Sequence, residues 1–463
     1  MAASLKENPA ERNRNRMTLK IQPRMVLRRG RIGGAAAMML ALQTASGFAE
    51  TTQQAGSAGK AVYTLPPAKL AKAIALSHAR TALHFGGTLW IVLALGLLVY
   101  LRAGDGIRAW AAGVTHRRWL QGLLVCPVWL LALSLIGLPL DLLDQQVDRH
   151  FGLSIQGWPG WFGDWGKSLL LTLVFGTLAL SAVYALMRHS QRRWWLWFWV
   201  ISLPVEVLLV FLVPVVIDPL FNHFSPLAAS DPALVIQLER VAARGHLYIP
   251  PERMFVMDAS RKVTGLNAYV TGFGATKRIV VWDNTIHEAP ADEILFIYGH
   301  EQGHYVLRHI AKGLVFYGAL LLLFYWAAFR LMRGLIRRHG VRWRIAFVDD
   351  WASVGLLLLL ITVLGFLAEP AGNAFSRWEE HQADVYGQEV IHGLVADPQR
   401  TAVSSFVRLG EIWLDNPSPS PFVEFWSYSH PSTSERAAFA AQYDPWQPGR
   451  HPKYFEKEVR RNP

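Results

Sequence analysis

Six apolar segments constrain this chain more than anything else in it. They fall at 85–101, 119–140, 168–187, 194–217, 313–329 and 352–368. Each is long enough, or nearly so, to cross a bilayer, which takes about 17–25 residues. Tryptophans stand near several of their ends (Trp119, Trp165, Trp194, Trp195, Trp351), where interfacial anchors belong. A large soluble protein could bury one such run as a core helix, but six argue for membrane spans. Composition agrees: the 463 residues are 52% hydrophobic, with a mean hydropathy of +0.21. Roughly 45–50% is usual for a soluble domain.

The formal net charge is +12 and the pI about 9.8. In a soluble protein that balance would suggest nucleic acid. Here the basic residues come in short runs beside the apolar segments, so they read as membrane-flanking anchors. The partner they imply is the lipid bilayer, not nucleic acid. The single cysteine, Cys126, sits inside an apolar run. Disulfides and cysteine-rich zinc knuckles are thereby excluded, and any metal must be held by His, Asp and Glu.

A seventh apolar run, "RIGGAAAMMLALQTASGFAE", is short and alanine-rich. It follows Arg28 and Arg29, includes Arg31, and ends on Gly47-Phe48-Ala49. It reads as a cleaved signal peptide or as an uncleaved first span. The resulting division is an N-terminal extension with this run (1–49), a four-span region (50–217), a polar region (218–312), two further spans (313–369) and a second polar region (370–463). The two polar regions together read as one small peptidase domain.

The chemistry concentrates in "IYGHEQGHYVLRHI", 297–310, read as part of one helix. His300 and His304 are four residues apart, so at about 100° per residue they share a face, separated by about 40°. One zinc ion can take both imidazoles. Glu301 lies beside that position and is suited to act as a general base. His309, nine positions from His300, points to nearly the opposite face of such a helix and is not counted as a ligand. A catalytic zinc needs a third protein ligand and an open position. "SRWEEHQADVYG", 376–387, offers Glu380 and Asp384, again four apart. One carboxylate could bind the metal, and the other could accept the Nδ1–H of a ligand histidine. Glu379 and His381 read as a solvated face.

With these motifs in hand the chain resembles the type I CAAX prenyl protease family, membrane-embedded zinc metallopeptidases. The resemblance covers roughly 145–445. It is carried by "DRHFGLSIQ", "PLFNHFSPL", "VMDASRKVTGLNAYVTGFGATKRIVVWD", "GHEQGH", "SRWEEHQAD" and "YSHPSTSER" in that order. It implies one Zn²⁺ held by His300, His304 and Glu380, with Glu301 as base and Asp384 behind a ligand histidine. It also implies a predominantly α-helical polytopic membrane protein of six or seven spans, enclosing a water-filled chamber and carrying a small α+β peptidase domain. His430, before Pro431, is a candidate oxyanion donor largely on the strength of the resemblance. Arg436 reads as a steadying charge or as a contact for a substrate carboxylate.

"RMFVMD" and "KRIVVWD" alternate like strands, and "LNAYVTGFG" between them can form an edge strand. An extended protein or peptide substrate could add to that edge, with Asn267, Ala268 and Tyr269 against its backbone. Glu206 lies mid-span between Pro204 and Pro214. Its cost at that depth, on the order of 2.5–3.5 kcal/mol, requires it to face protein or water.

The function these features predict is zinc-dependent hydrolysis of peptide bonds. The family trims prenylated C-terminal tripeptides. A bacterial chain, as the signal-like run suggests, would instead meet membrane or misfolded proteins. Two alternatives are an inactive chamber or scaffold, and a site-2-type intramembrane protease. The complete ligand set opposes the first. Asp292 and Glu293, just before the short apolar run leading to His300, oppose the second. Three Arg-rich loops (Arg102 to Arg118, Arg188 to Arg193, Arg330 to Arg344) predict one cytoplasmic end. Both polar regions then face the periplasm of a bacterial inner membrane. Family analogy points the other way, to the cytosol.

Overall fold

The computed structural model describes residues 62–272 and 277–455. The signal-like run lies outside the described residues. All six apolar segments lie in helices. The spans are α1 (Pro67–Tyr100), α3 (Arg118–His150), α4 (Trp158–His189), α9 (His309–Trp343) and α10 (Val354–Val390), with α5 (Trp194–Leu212) as the sixth. The sixth is bent: Trp194–Leu209 and Val213–Phe221 meet at 46° beside Pro214. A proline that lacks an N–H explains a break there. The helices run well past the apolar segments. At about 1.5 Å per residue, the 37 residues of α10 extend roughly 55 Å, against about 30 Å of hydrocarbon. Its last turns therefore leave the bilayer as part of the same rod.

The sequence reading missed an element at the Arg-rich end of the bundle. The first Arg-rich loop contains a helix, α2 (Ala103–Val114). It is tied to the α9–α10 connection by Arg108–Asp350 (2.9 Å) and Arg344–Asp105 (3.2 Å), and Arg118 at the start of α3 reaches Asp349 at 3.3 Å. Inside the bundle, His84 of α1 lies 3.5 Å from Glu369 of α10, so two ionisable groups at membrane depth face each other and not lipid. Glu206 is half-buried and close enough to Tyr325 of α9 to interact with it electrostatically.

The polar regions form one body with its own apolar core. Its sheet comprises β1 (Phe224–Pro226), β2 (Met254–Met257), β3 (Ala268–Thr271) and β4 (Arg278–Trp282), in the order β1-β2-β4-β3. β2 and β4 are parallel, and β3 runs antiparallel to β4 with Ala268 opposite Val281. The expected strands are thus present, and β3 is an edge. Around the sheet stand α6 (Pro232–Arg244), α7 (Asp283–Glu288), α8 (Ala291–Val306), α11 (Pro398–Trp413), α12 (Pro421–Ser427) and α13 (Thr433–Gln442). One sheet face, with Ala268, Val270, Ile279 and Val281, packs on the core that α8 enters.

Candidate metal centre

Two helices build the centre, and glycine sets their separation. α8 crosses the end of α10 so closely that a Cβ at Gly387 would lie 2.9 Å from the His300 backbone nitrogen. A Cβ at Gly299 would lie 2.6 Å from Val390 Cγ1, and one at Gly303 would lie 3.1 Å from Tyr386 Cβ. Small residues here let the backbones approach and bring short side chains together. α8 is fixed from its other sides as well. Gln302 donates to the Ala242 carbonyl of α6 (3.0 Å), Phe296 meets Phe406 edge-on, and Arg408 of α11 clamps Glu293 at 2.5 Å. Glu293, in the first turn, also complements the helix dipole. A helix start bearing a buried carboxylate–arginine pair belongs in a polar domain, which counts against the site-2-type alternative.

His300, His304 and Glu380 converge. The two Nε2 atoms are 3.2 Å apart, and Glu380 reaches them at 3.2 and 3.5 Å. One ligand atom from each residue lies within 4.8 Å of the others. Asp384 is 2.8 Å from His300 Nδ1. Arg436 of α13 grips Asp384 with two bonds of 2.9 and 2.6 Å and lies 3.8 Å from Glu380. Arg436 was expected to steady the loop carrying His430; its guanidinium instead bonds the carboxylate behind His300. Paired in this way, Arg436 does not stand open to a substrate carboxylate.

The donor set fits a metal cation. With Nδ1 of His300 protonated toward Asp384, its Nε2 carries a lone pair. That lone pair points at a second imidazole nitrogen and at a carboxylate. Glu380 Oε2 is buried, and none of its close approaches has hydrogen-bond geometry. Two imidazole nitrogens and a carboxylate oxygen gathered this closely match the His and carboxylate donors that a catalytic metal takes.

Glu301 is half-buried beside this cluster. Burial pushes its carboxyl up to about 7, His300 and Arg436 oppose that shift, and Glu380 adds to it. His430 Nε2 lies 3.2 Å from Glu380, and its Nδ1 is 3.0 Å from Ser429 Oγ. The loop carrying it is pinned to α10: Asn373 donates to the Trp426 carbonyl (2.6 Å), and Arg377 to those of Glu424 (3.0 Å) and Tyr428 (2.5 Å). Nothing in the sequence reading had singled out Asn373 or Arg377. Their place on the Glu380 face of α10 was the available signal.

The substrate-side residues divide. Asn267 is half-buried, and its backbone N–H and carbonyl are both engaged by Thr285 Oγ1 of α7 at 2.8 Å. Ala268 faces the α8 core. Tyr269 packs on the opposite sheet face with Met257, Ala259 and Val280. The Tyr269 side chain therefore faces away from α8.

His309 corrects the single-helix reading. α8 ends at Val306, Arg308 takes a left-handed conformation (φ 58°), and α9 begins at His309. The reversal turns His309 back onto His304, with Nδ1 to Nδ1 at 3.0 Å.

A bundle of membrane spans that carries a buried His-His-Glu cluster, on a helix reading HExxH, defines a membrane-embedded metallopeptidase. The comparisons agree, and the chain belongs to peptidase family M48. The description "Peptidase family M48" matches 228–444, and "CAAX prenyl protease N-terminal, five membrane helices" matches 58–223. The "Uncharacterized metalloprotease YhfN" of Bacillus subtilis is 33% identical over 81% of this chain and 86% of its own length. The CAAX prenyl protease 1 of Saccharomyces cerevisiae is 27% identical over 65% and 68%. The rice CAAX prenyl protease 1 homolog is 29% identical over 58% of this chain and 61% of its own, less than two thirds of its length. The crystal structure of S. mikatae Ste24p shares the fold, with a TM-score of 0.70 at 22% identity, covering 82% of this chain and 90% of that one. The protein is thus an integral membrane metalloprotease, a hydrolase.

Proposed function

We propose that the chain is a zinc-dependent endopeptidase acting on extended segments of membrane-associated proteins. The observation that carries this reading is the inward acceptor cluster of His300, His304 and Glu380. Its 3.2 Å nitrogen separation is close to the roughly 3.3 Å between ligand atoms around tetrahedral zinc. When bound there, zinc lowers the pKa of a water and polarises a carbonyl. Glu301 accepts the proton of the attacking water and delivers it to the leaving amine. His430 Nε2 donates to the developing oxyanion. Asp384, held by Arg436, keeps His300 in the tautomer that presents Nε2. A peptide added to the free edge of β3 runs along α8 with its backbone engaged by Ala268 and its neighbours.

CAAX cleavage is what the names of the yeast and plant relatives describe. For this chain, the broader class of membrane-associated substrates fits the resemblance to the Bacillus protein. The Arg-rich ends of α1–α3, α4–α5 and α9–α10 support an inner-membrane topology with the peptidase domain in the periplasm. An alkaline-phosphatase fusion after Pro463 should be active and one within 334–344 inactive; the reverse result restores a cytosolic site. The decisive experiment uses the full chain in detergent. It should hold one zinc per chain by elemental analysis and cleave a generic peptide, with loss to a chelator and recovery on adding zinc. Chelator-insensitive cleavage, or no stoichiometric metal, overturns the reading.

A further inference from the structure

His300 and His304 are held by different partners on the side away from the cluster. His300 has the carboxylate of Asp384 at its Nδ1. Among the described residues His304 has no carboxylate there; it has His309, 3.0 Å away and only 1% exposed. We infer that His309 is a positioning residue for the metal centre, acting through the Nδ1 of His304.

The direction of the bond follows from proton counting. A neutral imidazole has one N–H and one lone pair. His304 Nε2 faces His300 Nε2 and Glu380, so binding a cation there requires the lone pair on Nε2 and the proton on Nδ1. That proton is donated to His309 Nδ1, which must be the acceptor. The single proton of His309 then sits on Nε2, which is buried and without a hydrogen-bond partner among the described residues. The opposite arrangement, with His309 donating, would place a proton on His304 Nε2 and close it to metal. His309 is not a fourth ligand, because it approaches the far side of the His304 ring.

The device depends on backbone geometry. α8 ends at Val306, the left-handed Arg308 follows two residues later, and Lys312 N–H bonds back to the Arg308 carbonyl at 3.1 Å as α9 starts. The ring of His309 is packed against Trp378 of α10, centroids 6.4 Å apart, so the third helix element of the centre holds it in place. A neutral acceptor also leaves the site without a further carboxylate beside Glu301, Glu380 and Asp384. The bond to a neutral acceptor is weaker than one to a carboxylate, so His309 should matter less than Asp384.

This inference rests on the zinc reading of the cluster, and the test separates the two. Zinc affinity is measured on the full-length protein by competition with a chelator. The cobalt-substituted absorption spectrum serves as a second readout, and the melting temperature of the metal-free protein reports folding. If wild type holds no stoichiometric zinc, the metal reading itself fails. If it does, His309→Leu should weaken zinc about tenfold, the low end of the usual range of about 10–100-fold, and Asp384→Ala should lie toward its upper end. His309→Asn, whose Oδ1 can replace the lost acceptor, should return affinity to within about threefold of wild type and restore the cobalt spectrum. Metal-free melting should be the same for both variants. Wild-type affinity in His309→Leu overturns the inference. So does an equal loss in His309→Leu and His309→Asn, or a loss matched by lower metal-free melting, since each marks His309 as packing alone.

Discussion

The two ends of the membrane bundle use charge in opposite ways. At the Arg-rich end, acids and bases are matched: Asp105, Asp349 and Asp350 each face an arginine. Asp350 also accepts from the Ala346 and Ala352 backbone at 3.3 and 3.0 Å. In the metal cluster at the peptidase end, His300, His304 and Glu380 turn toward one another, and the arginine beside them, Arg436, is already engaged by Asp384. Matched charge fixes an arrangement and has nothing left to offer a ligand. Unmatched acceptors are costly in isolation, and the cost is recovered when a cation arrives. Both ends are rich in buried polar groups, so burial alone would not have told structure from site.

The largest effect that separates the ends is on turnover. Glu301→Gln should keep fold and metal, because Glu301 is not one of the convergent donors. An amide cannot take the water's proton, so kcat should fall by about 10²–10⁴-fold, the usual worth of a general base. Elemental analysis alongside peptide cleavage reads both quantities. A variant that still turns over would put the base elsewhere and undo the contrast.

Acidity should show the next effect. Glu301 works only when deprotonated, and burial raises its carboxyl to about 7. Activity should therefore be lost as pH falls through that pKa. A cation among the neighbouring ligands pulls the limb to pH 7 or below. Two units below the limb, kcat/KM should be down roughly 100-fold. A flat profile from pH 4 to 8 would exclude a titrating carboxyl from the rate-determining chemistry.

The glycines test whether close packing belongs to the site in particular. Gly387→Ala puts a Cβ 2.9 Å from the backbone of His300, where a helix and not a flexible side chain must give way. Overpacking of this kind costs about 1–3 kcal/mol, and here it also separates Glu380 and Asp384 from the histidines, so zinc affinity should fall with it. Gly334, near the Arg-rich end of α9, has nothing within 4 Å of its added Cβ. Gly334→Ala should be neutral or stabilise by up to about 1 kcal/mol, as alanine replaces glycine in a helix. Equal losses at the two positions, read by melting and zinc competition, would remove the packing argument.

Much of this was legible in the residues. The apolar spans follow from run length, and the HExxH pair, the second carboxylate pair and three of the four strands follow from periodicities of 3.6 and 2, which survive folding because one face is buried. What was not legible depends on backbone turns and on contacts between distant segments. No pattern marks Arg308 as left-handed, so His309 was placed on the wrong face. The α2 helix was read as a loop because its arginines were counted as topology signals and not as partners for Asp350 and Asp105. Arg436 was read as steadying the His430 loop or meeting a substrate carboxylate, and only the docking of α13 puts it on Asp384. Asn373 and Arg377 stand two turns and one turn before Glu380, yet their carbonyl partners lie about fifty positions downstream.

The smallest effect on turnover, and the one that completes the contrast, is expected at the matched end. Arg108 bridges Asp105 and Asp350 while one third exposed, and Asp350 beneath it is 7% exposed. Arg108→Ala leaves Asp350 with its two backbone donors but without its guanidinium, and it removes one of the two ion pairs that tie α2 to the α9–α10 connection. Losing a hydrogen bond to a charged, largely buried group costs about 1–3 kcal/mol, which should appear as a lower melting temperature in detergent. Because α10 is one continuous helix from Val354 to Val390, a perturbation at its first turn could in principle travel along it to Glu380. The matched-charge argument predicts otherwise. Glu380 and Asp384 are fixed locally by α8, Arg436 and the glycine contacts, so kcat, KM and zinc affinity should stay at wild-type values below the lowered melting point. A fall in zinc affinity in Arg108→Ala would mean that the two ends are coupled through α10, and the division between a structural end and a chemical end would have to be given up.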